Sequence, residues 1–205
     1  MSNSLIIFLH GVGSQGADLG ALAGQWRRLL PDSHFVAPDG PAPFDMGPAG
    51  HQWFSVNGVT RANRADRIVS ARAAFDATLS AIITRHGFEG RLDRIAFVGF
   101  SQGSIMALDA VVSGRWPVAG IVAFSGRLAT SAERHPHVPT QILMVHGAED
   151  AIIGVEEARE ARDALTRHGI SVRLHELPAL GHSISSAGAT MACQFLTDLL
   201  IPKPD

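Results

Sequence analysis

Arg94-Ile95-Ala96-Phe97-Val98-Gly99-Phe100-Ser101-Gln102-Gly103-Ser104-Ile105-Met106-Ala107-Leu108 is the stretch around which the rest of the chain can be read. Residues 94–100 are mostly apolar, as in a buried strand, and an Ala-, Leu- and Met-rich helical pattern follows Gly103 at once. Strand, tight turn and helix in that order is the context in which Gly-x-Ser-x-Gly forms a nucleophile elbow. Side chains two before and two after the serine would collide in such a turn, which calls for glycine at both places. The turn lifts the Ser101 hydroxyl clear of a sheet. The following helix then aims its unpaired N–H groups and positive dipole end at the place where an oxyanion would form. With 21 glycines in the chain the pentapeptide alone is weak, and a glycine-rich turn whose serine only caps the helix has the same residues. What separates the two is whether an acid and a base stand ready elsewhere in the chain.

Outward from this stretch, strand-like and helix-like segments alternate. Residues 5–9, 34–37, 94–100, 118–124, 141–146 and Ser171–Leu177 read as strands. Residues 19–30 read as a helix with Leu19, Leu22, Trp26, Leu29 and Leu30 on a shared face, and Arg64–His86 as a long one. Residues 102–113 and 156–168 follow, the latter ended by Gly169 at C′, and Ser186–Leu200 is a last helix stopped by Pro202. A Pro- and Gly-rich loop, 38–58, carries Trp53 and Phe54. Continuous apolar strands alternating with helices predict an α/β class, a mostly parallel sheet covered on both faces. At 205 residues and 46% hydrophobic, a single domain spanning 1–205 is expected.

The formal net charge of −2 gives no reason to expect nucleic acid or an anionic membrane surface as partner. One cysteine, Cys193, excludes an internal disulfide and suits a reducing compartment. The five apolar residues from Leu5 to Leu9 are too few for a signal-peptide core and lack a basic lead. A cytoplasmic protein without stable membrane association is the expectation.

A rival signal stands near the start. Gly11-Val12-Gly13-Ser14-Gln15-Gly16 matches the dinucleotide fingerprint Gly-x-Gly-x-x-Gly after a strand and before a helix, and would make the chain an oxidoreductase. Asp39 is the available ribose acid, but it lies beyond Pro38 and 28 positions after Gly11, against the usual ~20. The expected helix start at Leu19 also separates Gly16 from the helix, and His10 is out of place in a cofactor loop. An esterase, by contrast, needs a flexible glycine-rich turn here, because a backbone N–H from it completes an oxyanion hole.

A serine needs an imidazole to activate it and a carboxylate to orient the imidazole. On a doubly wound sheet with an elbow, the chain order is Ser, then Asp or Glu, then His. Of ten histidines, His168 ends a helix and His175 lies inside a strand. His182, in Leu180-Gly181-His182-Ser183, falls just past a strand's C-terminal end and is the candidate base. The acid should follow the strand at 141–146, where Gly147-Ala148-Glu149-Asp150 stands. Asp109 is carried away on a helix, Glu133 has no strand before it, and Glu156, Glu157 and Glu160 belong to a solvated helix face. Asp150 is preferred, because Ala151-Ile152-Ile153 beyond it suggests burial and a buried carboxylate needs a partner; Glu149 stays open. His135-Pro136-His137 lacks the cysteine or acid pattern of a metal site, so no metal is expected. Trp53 and Phe54 suit a buried core or a substrate wall equally, and Ile153 joins them as a candidate substrate contact.

On these residues the chain resembles the phospholipase/carboxylesterase family of α/β-hydrolases, which includes the acyl-protein thioesterases, and within it the small bacterial esterases. The stretches that carry the likeness are Phe8-Leu9-His10-Gly11-Val12-Gly13, Gln52-Trp53-Phe54-Ser55-Val56, Gly99-Phe100-Ser101-Gln102-Gly103, His146-Gly147-Ala148-Glu149-Asp150 and Leu180-Gly181-His182. The resemblance implies an α/β-hydrolase fold without a large lid, Ser101 as nucleophile, His182 as base and Asp150 as its orienter. It implies the backbone N–H groups of Val12 and Gln102 as the oxyanion hole, with Trp53 and Phe54 near the acyl pocket. The family pattern usually has an acid where Ser14 stands and another where Ser55 stands, so thioesterase substrate preference does not transfer. The expected activity is hydrolysis of carboxylic esters, with thioesters open to the same chemistry, on small or medium acyl chains and without a cofactor. A non-catalytic binding protein of the same fold is the further alternative.

Overall fold

The computed structural model describes residues 4–131 and 140–201. Strand β1 (Ser4–Leu9) is buried at all six positions, and its side chains alternate between two cores. Leu5, Ile7 and Leu9 enter one, with residues of the helices α2 (Arg64–His86), α3 (Gln102–Val112) and α4 (Val155–Arg167). Ile6 and Phe8 enter the other, with residues of α1 (Gly16–Trp26) and α5 (Ser186–Leu200). A strand that is apolar throughout is stable only when both faces are covered, and these helices supply the cover.

The remaining sheet strands are β2 (Ser33–Val36), β5 (Ile95–Phe100), β6 (Gly120–Phe124), β7 (Gln141–Gly147) and β8 (Ser171–Leu177). They hydrogen-bond in the order β2-β1-β5-β6-β7-β8, with every pairing parallel. The chain leaves β1 for β2 on one side and returns to β5 on the other, so the strand order reverses between β1 and β5. In open α/β sheets ligands bind at such a switch point, off the carboxyl ends of the strands. Leu9 lies opposite Gly99 in the register, which brings Gly11-Val12 and Ser101 to the same place.

Several elements depart from the sequence expectation. Helix α1 starts at Gly16, three residues before Leu19, under a reciprocal cap between Gln15 and Asp18. It ends at Trp26, and Leu29 is 53% exposed rather than on the buried face, because the chain turns before Pro31. β2 and β6 are shifted or shorter by one or two residues. The loop at 38–58 contains a small antiparallel ladder, β3 (Ala42–Pro43) with β4 (His51–Gln52). Gly169 has φ +81° just after α4, as its C′ position requires. Pro202, Glu133 and His135-Pro136-His137 lie outside the described residues.

Candidate active site

Ser101 takes φ 51° and ψ −112° between β5 and α3, a conformation that L-residues seldom hold unless their surroundings force it. Its amide is tied to Phe124 O at 3.0 Å, at the end of the neighbouring strand. Both flanking glycines are required. A Cβ at Gly99 would lie 2.5 Å from Ser104 N, across the turn as the sequence suggested. At Gly103 the obstacle is a different one: a Cβ would lie 1.9 Å from Leu9 O, on the adjacent strand. The second glycine therefore lets α3 start against the end of β1.

Asp150 follows β7 and is buried. Its Oδ1 accepts from the amides of Ile152 and Ile153, both at 2.9 Å. Its Oδ2 takes His182 Nδ1 at 2.8 Å, with His146 Nε2 at 3.3 Å. Burial by itself would raise this carboxyl. The Ile153 amide, the His182 ring and the Ile152 amide more than offset it, and the group is held below the ordinary carboxyl value. With the acid ionised, Nδ1 of His182 donates, which leaves Nε2 as the basic nitrogen. The His182 ring packs on Phe100, the residue before Ser101, with centroids 4.9 Å apart. The acid and base loops are stitched together by Ala148 N to Leu177 O at 2.9 Å and Glu149 N to Leu180 O at 3.0 Å. A Cβ on Gly147 would lie 2.1 Å from Leu180 O, so glycine permits that approach. Glu149 is exposed, and no hydrogen bond joins its side chain to His182 among the described residues.

Two side chains to which the sequence reading gave no positioning role hold these groups. His10 is fully buried, and the Gly40 amide donates to its Nε2 at 2.8 Å. Its proton is therefore on Nδ1 and is given to Gly11 O at 2.7 Å, so the ring is neutral and burial lowers its pKa further. Gln102 uses both ends of its amide on the 38–58 loop: Oε1 accepts from Trp53 N at 2.7 Å and Nε2 donates to Phe54 O at 2.8 Å. The glycine-rich loop itself is paired to the same segment, Gly13 N to His51 O at 2.9 Å and His51 N to Ser14 O at 2.7 Å. His10 directly before Gly11 and Gln102 inside the pentapeptide were the only local hints of these roles.

A cleft of about 120 Å³ opens at Ser101, and Val12, Gln102, Phe54 and Ile153 line it. Trp53 is not on its wall. The indole is 3% exposed, donates Nε1–H to His10 O at 2.9 Å and sits edge-on to Phe75, so of the three candidate substrate contacts it belongs to the core. The dinucleotide reading also meets the geometry here. Helix α1 does begin at Gly16, so separation from the helix was not a valid objection to it. Instead, the place a pyrophosphate would take at this helix start is filled by the Asp39 carboxylate, which accepts from Gly16 N at 2.8 Å. Among the described residues no three His, Cys, Asp or Glu side chains gather in a way that could hold a metal ion.

Comparison with known proteins gives the relatives of this chain. Esterase YpfH of Escherichia coli strain K12 is 33% identical over 202 residues, covering 98% of this chain and 85% of that protein. Acyl-protein thioesterase 1 of Neurospora crassa is 29% identical over 97% of this chain and 87% of its own. The solved structure of esterase PE8 superposes with a TM-score of 0.87 at 33% identity, covering 97% of this chain and 94% of that one. SOBER1 of Arabidopsis thaliana shares the fold with a TM-score of 0.80 at 24% identity, over 97% of this chain and 99% of its own. Residues 1–200 match the phospholipase/carboxylesterase family model, so the chain belongs to that family and is an ester-hydrolysing enzyme of the α/β-hydrolase fold.

Proposed function

We propose that Ser101, His182 and Asp150 form the catalytic triad, acting on esters of short acyl chains through an acyl-enzyme. The observation that carries this is the 2.8 Å bond from His182 to buried Asp150, with the imidazole packed on the residue preceding the strained serine. In this reading the Ser101 hydroxyl attacks the acyl carbon while His182 Nε2 takes its proton. The backbone amides of Val12 and Gln102 hold the tetrahedral oxyanion. Gln102 suits that role because the first amides of a helix have no intrahelical acceptor. His182 then protonates the leaving alcohol, and a water it activates releases the acid. The chemistry calls for no cofactor, and a thioester differs only in its leaving group. The cleft volume resembles that of a cavity known to admit one benzene ring, room for about four or five carbons.

No described helix is long and apolar enough to cross a membrane, and with the lone buried thiol this supports a cytoplasmic setting. The test is Ser101→Ala assayed on p-nitrophenyl butyrate beside fluorophosphonate labelling. Loss of at least ~10³ in kcat, loss of labelling and an unchanged melting temperature are expected. Near-normal turnover in that variant would remove the assignment. An enzyme that neither turns over nor labels as wild type would instead support a binding role.

A further inference from the structure

The cleft at Ser101 is lined mostly by apolar side chains, and among the described residues Arg64 and Arg127 are its only charged ones. Arg64 lies in the first turn of α2, and Arg127 in the loop after β6. Their side chains are 16% and 22% exposed, low for arginine. Both are held by one acid, Glu157 of α4: Arg64 Nη1 donates to Oε2 at 2.8 Å and Arg127 Nη1 to Oε1 at 2.7 Å. Two guanidinium groups thus share one carboxylate beside a largely apolar cleft. Around this group, among the described residues, Glu160 pairs with Arg61, and Arg159 is shared by Glu156 and Glu176. Each guanidinium has five N–H groups, and Arg127 Nε–H is buried with no acceptor among the described residues. The remaining N–H groups of the two guanidinium ions are donors for a ligand carboxylate, whose planar geometry suits them.

We infer that Arg64 and Arg127 form a carboxylate subsite, and that the preferred substrates are half-esters of short dicarboxylic acids. This rests on the reading of Ser101 as nucleophile. Val12, Ser101 and Gln102 line the same cleft as the two arginines, so an acyl group bound at the serine shares its space with them. A chain of a few carbons fits this cleft of about 120 Å³ before its terminal carboxylate.

The test compares kcat/KM for monoethyl succinate with that for ethyl isohexanoate, whose two methyl groups stand where succinate has its carboxylate oxygens. A preference for the half-ester of at least about tenfold, ~1.4 kcal/mol, is expected. Arg127→Gln and Arg64→Gln should each bring the ratio close to one. Glu157→Gln, which frees both guanidinium groups, should raise it. A wild-type ratio of one or less overturns the subsite, as does an equal loss on both esters in the arginine variants, the mark of a merely structural pairing. If Glu157→Gln does not fold, the two arginine variants still decide. Failure of the nucleophile reading is separate: it shows as ethyl isohexanoate hydrolysis that survives Ser101→Ala.

Discussion

Ser101 has φ +51°, a cost of order 1–3 kcal/mol that persists only because the surrounding contacts over-determine it. Gly99 and Gly103 give the turn its space, and the Phe124 carbonyl fixes the serine amide. The two neighbouring acids are separated at this scale too. Asp150→Asn keeps the shape but reverses the hydrogen-bond demand on His182, so kcat should fall by ~10³–10⁴, while Glu149→Gln should change it less than about threefold. Steady-state kinetics on p-nitrophenyl butyrate checks both, and the opposite ranking would exchange the acids. Burial pulls the Asp150 carboxyl up and three donors pull it down further, so it stays ionised as pH falls through the ordinary value of 3.8. Gln102 is the other residue with a measurable duty. Gln102→Ala keeps the backbone amide but removes the bonds to Trp53 N and Phe54 O. A loss of ~1–3 kcal/mol in stability by urea unfolding is expected, with KM raised more than kcat is lowered, because Phe54 loses its support.

At the scale of elements, close approach of backbone to backbone sets the site. α3 begins against the end of β1, and a methyl at position 103 would meet the Leu9 carbonyl at 1.9 Å, an atom that cannot swing aside. Gly103→Ala should therefore cost ~3 kcal/mol or more, read as a fall in melting temperature. The acid loop after β7 and the base loop after β8 meet in the same way at Gly147. Here the damage should fall on function. Gly147→Ala forces the Leu180-Gly181 segment away and should lower kcat by about 10–100-fold, since displacements near 1 Å are enough to do so. Helix α1 shows what patterning misses. Its leucine spacing extended the helix to residue 30, but the cap at Gln15 and Asp18 starts it early, and the chain turns at Trp26 ahead of Pro31.

For the whole molecule, two apolar cores hold the sheet, and one buried acid joins the layers on one of its faces. Asp109 of α3 is 1% exposed and accepts from Arg72 of α2 at 2.8 and 3.0 Å, from Arg115 at 3.0 Å and from Thr130 at 2.7 Å. Burial would raise its carboxyl, but the Arg72, Thr130 and Arg115 donors outweigh burial and hold it below the ordinary 3.8. A depressed folded pKa contributes stability that is complete above the unfolded value and is lost as pH falls through the folded one. Unfolding free energy should thus drop below about pH 4, and Asp109→Asn should flatten that acid limb. Asp109→Ala should cost ~3–5 kcal/mol at neutral pH by urea unfolding, because it removes the buried acceptor of four hydrogen bonds, three of them from arginines. The sequence by itself determined the alternation of strand and helix and the elbow at Ser101, and it put an acid and a histidine just past the ends of β7 and β8. Those features rest on local patterns: runs of apolar residues, paired glycines, and polar residues just past strand ends. Only the tertiary structure decided that Trp53 faces the core and Phe54 the cleft, and that the first glycine loop packs on the 38–58 loop. Only it brought residues 64, 127 and 157 together, because partners that far apart in a chain meet through strand order and helix packing, which leave no mark on the residues beside them.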